Sequence, residues 1–308
     1  MFSAASSRKL SVVVLASNNM AALERTLSSL RGQAESPDTE VIAVCNFDGE
    51  ILTSLQERFP FVRSVALPRD ATVAELRTTG VHMSNGRIVA FVEDYAFVDE
   101  QWCAEIMKAH ESRFSIVGGA VENRSPNKPL NWAVYFFDYG KYMPPLQSGI
   151  TATLSGINVS YKRDALAEVE ETFRDGFHET FVHEQLKSKG HELLLAPSAI
   201  VYLSTDFVFA ATLRNFFIFA RSFASKRVVD RTPANRLVFA LGSCLLPILL
   251  PVRVVLRIVL KQRHLWPLIL SVPHLSILMT GWAAGEFYGC LFGEAASHSV
   301  TSSKRSRK

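Results

Sequence analysis

Apolar and polar residues alternate in short blocks over the first part of the chain, and these blocks predict strands and helices in turn. Unbroken apolar runs such as Leu10–Ala16 are typical of strands buried on both faces. Segments with leucines three and four residues apart, such as residues 20–31, are typical of amphipathic helices. The predicted strands are residues 10–16, 40–44, 62–66 and 87–92, and the predicted helices are residues 20–31, 51–59 and 71–83. This alternation predicts a doubly wound, mostly parallel α/β sheet with right-handed crossovers.

The fourth predicted strand runs directly into two adjacent carboxylates, Glu93 and Asp94. Buried carboxylates are costly unless they are paired or bound to metal. We therefore expect both side chains at the end of the strand, in the crevice at the carboxyl edge where open α/β sheets bind ligands. Two hard oxygen donors there suit Mg²⁺ or Mn²⁺ carrying a phosphate. A strand followed by an acidic turn without a function is the alternative that this pattern leaves open.

The middle of the chain is less regular. Residues 122–150 are rich in Pro, Asn, Gly and aromatic residues, which predicts a long, partly ordered connection of the kind that contacts substrates. Residues 155–163 are predicted to form a strand, and residues 173–189 a helix that carries Glu179, His183 and Glu184. Glu179 and His183 are four residues apart and so share a face of that helix.

Beyond residue 232 the chain becomes strongly apolar. The stretches 237–260 and 266–292 are each long enough to cross about 30 Å of hydrocarbon. Prolines and the charges of Arg253 and Arg257 leave three alternatives open: two spans, a hairpin or surface helix in one leaflet, and a buried helical subdomain. Basic residues on both flanks leave the sidedness unassigned. The predicted organisation is a leader over 1–9, an α/β domain over 10–232, a hydrophobic membrane-associated helical region over 233–296 and a basic tail over 297–308.

Composition excludes several classes of protein. The 308 residues carry a formal net charge of +4, without an aromatic–basic pattern, which predicts no nucleic-acid partner. The four cysteines show neither a C-x-x-C pair nor zinc-ligand spacing, as expected of reduced residues in a protein that faces the cytoplasm. Neither a dinucleotide-binding G-x-G-x-x-G nor a phosphate-binding G-x-x-x-x-G-K-[ST] is present.

Four motifs in order resemble the family 2 glycosyltransferases, which are inverting enzymes of the GT-A fold. They are the opening strand and helix (LSVVVLASNNMAALERTLSSL), the segment AELRTTG with Arg77 followed by SNGRIVAF, the pair Glu93-Asp94, and Gly156-Ile157-Asn158. The pair stands where the family has its metal-binding D-x-D or D-D element, and Gly156-Ile157-Asn158 is similar to the family's G-x-N strand. The match covers about residues 10–205.

The resemblance implies a GT-A-like fold and a role for each matching residue. Asp94 would bind Mg²⁺ or Mn²⁺, Gly156 and Asn158 would contact the acceptor, and Glu179 would be the catalytic base. Glu179 is chosen because the family places an acidic pair about a dozen residues before a glycine, here Gly190; Glu184 is the reserve. The residues expected to bind the nucleotide sugar are Ala16, Ser17, Asn19, Cys45, Asp48, Arg77, Glu93 and Asp94.

The implied activity is metal-dependent transfer of a sugar from a nucleotide diphosphate, with inversion, to a hydroxyl of a lipid-linked or envelope glycan acceptor. The enzyme would attach to membrane lipid with its catalytic domain facing the cytoplasm. It would make single transfers, because the Q-x-x-R-W mark of processive synthases is missing. Cys45 stands where the family has an Asp, and Glu93 replaces its first Asp. These departures leave open a catalytically inactive membrane-attached adaptor. A nucleotidyltransferase is disfavoured, because Ser17-Asn18-Asn19-Met20 is neither glycine-rich nor basic.

Overall fold

The structure, a computed structural model, describes residues 8–17, 20–46 and 49–293, without the side chains of residues 49–53. It divides into two compact units. The first comprises the chain up to Pro126 together with Tyr142–Thr205, and the second comprises Asn127–Lys141 and the chain from Asp206 onward. In this division the second unit takes in part of the predicted connection 122–150 and the chain from Asp206 onward, whereas the sequence predicts a boundary at residue 232.

The first unit is built on one mixed sheet of nine strands with helices between them. The strands are β1 Leu10–Ala16, β2 Thr39–Cys45, β3 Val62–Ala66, β4 Ile88–Glu93, β5 Ala96–Val98, β6 Ile116–Asn123, β7 Gly149–Thr151, β8 Val159–Lys162 and β9 Leu193–Leu203. The helices are α1 Met20–Leu30, α2 Gly49–Arg58, α3 Val73–Met83, α4 Trp102–His110, α6 Arg163–Ala167 and α7 Glu179–Ser188, with a 3₁₀ turn over Glu170–Phe173.

The sheet confirms the α/β class. Its order is β3-β2-β1-β4-β8-β6-β9-β5, with β7 paired to β9. The first four strands are parallel, as predicted. However, β8 runs antiparallel to both β4 and β6, and β5 and β7 run antiparallel to β9, so the parallel arrangement does not extend across the sheet.

Burial explains why the apolar runs become strands. Every residue of β1 and β2 is buried, as are the first five of β4, so these strands lie in the middle of the layer. Phe91 of β4, Tyr161 of β8 and Phe177 form an aromatic cluster with ring centroids 5.2–6.0 Å apart. The register pairs Ala16 with Cys45 and Leu15 with Glu93, which brings the carboxyl ends of β1, β2 and β4 to one edge.

Several predicted boundaries are wrong for identifiable local reasons. Helix α3 begins at Val73 because Thr72 and Glu75 form a capping box. The predicted strand 155–163 shortens to β8, since residues 155–158 form a turn in which the Asn158 N–H donates to the Ser155 carbonyl. The predicted helix 173–189 is interrupted at Gly176, whose φ of +152° favours glycine, and α7 therefore starts at Glu179.

The second unit is helical within the described residues. Its helices are α5 Pro129–Asp138, α8 Phe209–Arg227, α9 Pro233–Ser243, α10 Leu246–Lys261 and α11 Leu265–Phe292. The predicted connection 122–150 thus contains a helix, α5, whose side chains are mostly buried. The apolar stretch 237–260 forms two short helices, α9 and α10, bent by 54°. Among the described residues, α11 alone is long and apolar enough to cross a membrane as a single helix.

Helices α8 and α11 pack closely because glycines of α11 face the backbone of α8. A Cβ atom at Gly285 would lie 2.2 Å from the Phe217 carbonyl oxygen, and one at Gly289 would lie 2.3 Å from that of Arg221. The same helices are joined by an ion pair of 2.5 Å between Arg227 and Glu286, and the Trp282 indole also donates to Glu286.

Candidate active site at the carboxyl edge of the sheet

Asp94 follows β4 directly and lies at the edge where β1 and β2 end, as the sequence predicts. It is only 2% exposed. The backbone N–H of Ser17, the residue after β1, donates to Asp94 Oδ2 over 3.0 Å, and the Asp94 N–H donates to the Leu15 carbonyl. The carboxylate is therefore held in place beside the end of β1, and its charge is partly balanced by a backbone dipole.

Cys45 ends β2 beside this carboxylate. Burial, together with the neighbouring charge of Asp94, raises the pKa of the Cys45 thiol to about 12. The thiol is therefore neutral at physiological pH and is neither a nucleophile nor a metal-binding thiolate. It also supplies no negative charge to an approaching nucleotide base, in contrast to the Asp that the family resemblance leads one to expect.

A buried guanidinium links the other predicted site residues. Arg77, on α3, donates from Nη2 to Glu93 Oε1 over 2.8 Å and to the Gly156 carbonyl over 3.3 Å. Its Nη1 lies 3.4 Å from Glu179 Oε2. Burial alone would lower the pKa of Arg77, but Glu93 and Glu179 outweigh that effect and the pKa is raised. One permanent cation therefore lies between two carboxylates that are 86 residues apart in the sequence.

Glu179 is the first residue of α7, where the helix dipole favours a negative charge. Burial raises the pKa of its carboxyl, Arg77 opposes that rise, and Glu93 adds to it. Within the described structure, its buried Oε2 accepts no hydrogen bond. A carboxylate that is desolvated, ion-paired and short of a donor is suited to accept a proton. Glu184, the reserve candidate, is exposed to solvent, and the geometry favours Glu179.

Gly156 lies against this carboxylate. A Cβ atom at residue 156 would lie 1.9 Å from Glu179 Oε2, so only glycine permits the observed approach. The predicted G-x-N segment therefore does adjoin the candidate base, and its glycine is the residue in contact.

Asn158 does not fit the acceptor-binding role predicted for it. It is fully buried, its Nδ2 donates to the Ala120 and Ala199 carbonyls over 2.8 Å each, and its Oδ1 accepts from the Trp102 indole over 2.9 Å. A side chain engaged on every side within the core has no group to offer an acceptor. Instead, the hydrogen bonds of Asn158 join β6, β9 and α4.

Tyr161 and His183 lie next to the Arg77 network and were not predicted as site residues. Tyr161 Oη and His183 Nε2 share a hydrogen bond of 2.8 Å. Burial, followed by the nearby cations Lys187 and Arg77, lowers the pKa of His183 to about 4. Burial and the charge of Glu179 raise the pKa of Tyr161. Both groups are neutral at physiological pH, so this pair adds no charge to the Arg77 network. The only sequence signal was the shared helix face of Glu179 and His183.

Two further predicted residues, Asn19 and Asp48, lie outside the described residues. Within the described part of the chain, no group of three or more His, Cys, Asp or Glu side chains is placed to share a metal ion. The donor chemistry still fits a divalent ion, because Mg²⁺ is commonly held by one or two carboxylates plus substrate phosphates. Asp94 supplies such an oxygen, whereas Glu93 is engaged by Arg77.

Comparisons with known proteins agree with the fold. The family model described as "Glycosyl transferase family 2" matches residues 11–170, which is more than half of the chain. The crystal structure of GalNAc-T7 with UDP, GalNAc and Mn²⁺ is similar in fold, with a TM-score of 0.50 and 12% sequence identity. That match covers 65% of this chain and 43% of the GalNAc-T7 chain. No curated protein matches the sequence significantly.

Proposed function

The chain belongs to glycosyl transferase family 2, and from this premise we propose that it moves a sugar from a nucleotide diphosphate to an acceptor hydroxyl with inversion at the anomeric carbon. The observation that carries the proposal is Glu179. A half-buried carboxylate with a raised pKa lies beside Arg77 and Gly156 in the same unit as the acidic end of β4. A displacement reaction needs a base and a group that holds the leaving group. Glu179 is suited to act as the base, and the acidic end of β4 is suited to hold the leaving group.

On the acceptor side, Glu179 accepts the proton of the attacking hydroxyl. The hydroxyl oxygen bonds to the anomeric carbon from the face opposite the departing diphosphate, which inverts the configuration. A positioned base of this kind contributes about 10²–10⁴-fold to the rate. Arg77 opposes the rise in the pKa of Glu179 that burial causes, and Gly156 leaves room for the carboxylate.

On the donor side, Asp94 and Ser17 would lie beside the diphosphate, with Ala16 and Cys45 next to them at the ends of β1 and β2. Asp94 would hold a divalent ion, Mg²⁺ or Mn²⁺. When bound, the ion supplies Lewis-acid stabilisation of the leaving diphosphate. The Mn²⁺ and UDP named with GalNAc-T7 support use of such an ion and donor. Glu93 pairs with Arg77, which also pairs with the base Glu179, so one cation joins the two ends of the site.

The acceptor is proposed to be membrane-borne, either a lipid-linked or an envelope glycan. The support is the length and apolar character of α11 and the exposed apolar side chains of the helical unit, such as Phe219 and Trp266, which are 70% and 68% exposed. The reduced, scattered cysteines support placing the catalytic unit on the cytoplasmic face.

One observation supports the alternative, a catalytically inactive membrane-attached adaptor. Cys45 is a neutral thiol where the family has an Asp, so one anionic contact to the nucleotide is missing.

The deciding experiment measures binding and turnover of UDP-, GDP- and dTDP-sugars with and without Mn²⁺. We expect one donor to bind only with the ion, Asp94→Ala to lose that binding, and Glu179→Ala to bind but not turn over. Glu184→Ala, which removes an exposed carboxylate from the same helix, is the matched control and should behave as the native chain. Binding of no sugar nucleotide under any condition would favour the adaptor.

A further inference from the structure

Helix α10 carries a row of cations along one side. Arg253, Arg257 and Lys261 are spaced four residues apart, so their side chains follow one line on the helix surface. Arg253 is exposed and the other two are partly exposed. Lys261 Nζ also donates to the Lys141 carbonyl over 3.3 Å, which fixes the end of the row within the helical unit.

Next to this row lies an apolar strip that the described structure leaves open. Four residues form it, and between 50% and 82% of each is exposed: Leu249, Val252, Leu256 and Leu260. The opposite face, with Pro251, Val254 and Ile258, is buried against the unit. Around its axis, α10 therefore presents a packed face, a cationic line and an exposed apolar strip.

The surrounding sequence has the charge that an anionic surface would attract. From residue 233 to residue 292 there are five Lys and Arg residues and one acidic residue, Glu286. Glu286 is engaged by Arg227, so it does not offset the cations of α10.

The row also limits how α10 can meet a bilayer. Its 16 residues measure about 24 Å, less than the roughly 30 Å of a hydrocarbon core, and α9 is bent from α10 by 54°. If α10 stood upright, its cations would occupy depths spread over about 12 Å, and at least one would enter hydrocarbon, which is costly. If α10 lies flat, all three cations share one depth.

We propose that α10 lies parallel to the membrane surface, with its apolar strip in the acyl region and its cationic row bound to the headgroups of anionic phospholipids. This docking surface does not depend on the proposed transferase activity. It accounts for both the cationic row and the exposed apolar strip of α10, because cations next to an apolar strip are the pattern of interfacial helices.

The depth of α10 tests the geometry. In the full chain with Cys244→Ser, which removes the exposed cysteine, a bimane fluorophore is attached to Leu249→Cys, Leu256→Cys or Leu260→Cys. The protein is placed in phosphatidylcholine–phosphatidylglycerol bilayers containing lipids brominated at a shallow or a deep acyl position. We expect the same shallow quenching at all three sites. An upright helix would spread the sites over about 16 Å, and graded depths would overturn the proposal.

The headgroup preference tests the chemistry. Each cation at an anionic surface is worth roughly a five-fold preference. Quenching of the Leu256→Cys label by brominated phosphatidylglycerol should exceed that by brominated phosphatidylcholine. Adding Arg253→Gln and Arg257→Gln should lower this preference by about 25-fold, and raising the salt concentration should lower it as well.

The matched control removes the same charge from the first unit, with Lys108→Gln and Lys189→Gln, and should leave the lipid preference unchanged. Equal quenching by both lipids in the native chain would overturn the proposal. So would a label shielded from every brominated lipid, which would mean that a protein partner covers α10. Chromatographic elution and circular dichroism confirm that each variant is folded.

Discussion

Replacing Gly156 by alanine tests whether Glu179 acts from the position that it has in the structure. The added Cβ atom would lie 1.9 Å from Glu179 Oε2 and 2.9 Å from Arg77 Nη2. Cβ atoms essentially never approach another heavy atom more closely than 3.0 Å, so the carboxylate oxygen has to retreat by about 1 Å. The substitution thus moves the candidate base without removing it.

The size of the effect follows from that displacement. Misplacing a reacting group by about 1 Å costs about 10²-fold in rate, and a whole general base contributes about 10²–10⁴-fold. We therefore expect Gly156→Ala to lower kcat about 100-fold. The KM for the nucleotide sugar should change little, because the atoms nearest to the added Cβ belong to Glu179 and Arg77, whereas Asp94 is held by Ser17.

The assay is release of nucleotide diphosphate at saturating donor and acceptor, with the melting temperature recorded for every variant. Gly32→Ala is the matched control, since a Cβ atom there meets nothing within 4 Å. In a Glu179→Ala background, Gly156→Ala should lower kcat almost no further, because it acts through the carboxylate that Glu179→Ala has removed. The reasoning would be refuted if Gly156→Ala kept the native kcat. It would also be refuted if Gly156→Ala lowered kcat as much in the Glu179→Ala background as it does in the native chain.

Three further predictions address the charge network and the core. Arg77→Gln removes the cation that opposes the rise in the pKa of Glu179, so the acid limb of the pH profile of kcat/KM should move to higher pH; an unmoved limb would count against Glu179 as the base. Asn158→Leu leaves the indole N–H of Trp102 and two carbonyls without their partner, so the free energy of unfolding in urea should fall by about 3 kcal/mol. For Glu40, burial would raise the pKa, but hydrogen bonds to its carboxylate outweigh burial and the pKa is lowered from 4.5. The ionised Glu40 should therefore stabilise the fold fully above pH 4.5, and this stabilisation should be lost as the pH falls through the folded pKa. Glu40→Gln should accordingly lower the free energy of unfolding at pH 7 and lower it progressively less in acid.

Some features of this protein follow from the sequence because they depend on local order. The apolar runs of β1, β2 and β4 specify buried strands wherever they pack, and the acidic pair necessarily follows β4. Parallel strands joined by helices bring their carboxyl ends to one edge, so the place of Asp94 could be predicted from chain order, while Ala16 and Cys45 were predicted from the family resemblance. The apolar character beyond residue 232 was equally visible.

Local signals also explain where the boundaries were misjudged. A single glycine with positive φ, Gly176, divides a predicted helix and makes Glu179 its first residue. Hydrophobic periodicity carries no information on such backbone angles, nor on the direction of a short strand such as β8.

The tertiary structure alone decided which predicted residues act together. Arg77 joins Glu93 and Glu179 across long stretches of sequence, and Gly156 matters because a carboxylate from another element presses against it. Asn158 lies within the motif Gly156-Ile157-Asn158, yet its side chain is hydrogen-bonded to β6, β9 and α4 inside the core. Such assignments depend on contacts between distant segments, each of which is chosen by packing and polar satisfaction over the whole sheet. The sequence determined which chemical groups are present and at which edge they gather, and the fold determined which of them are free to react.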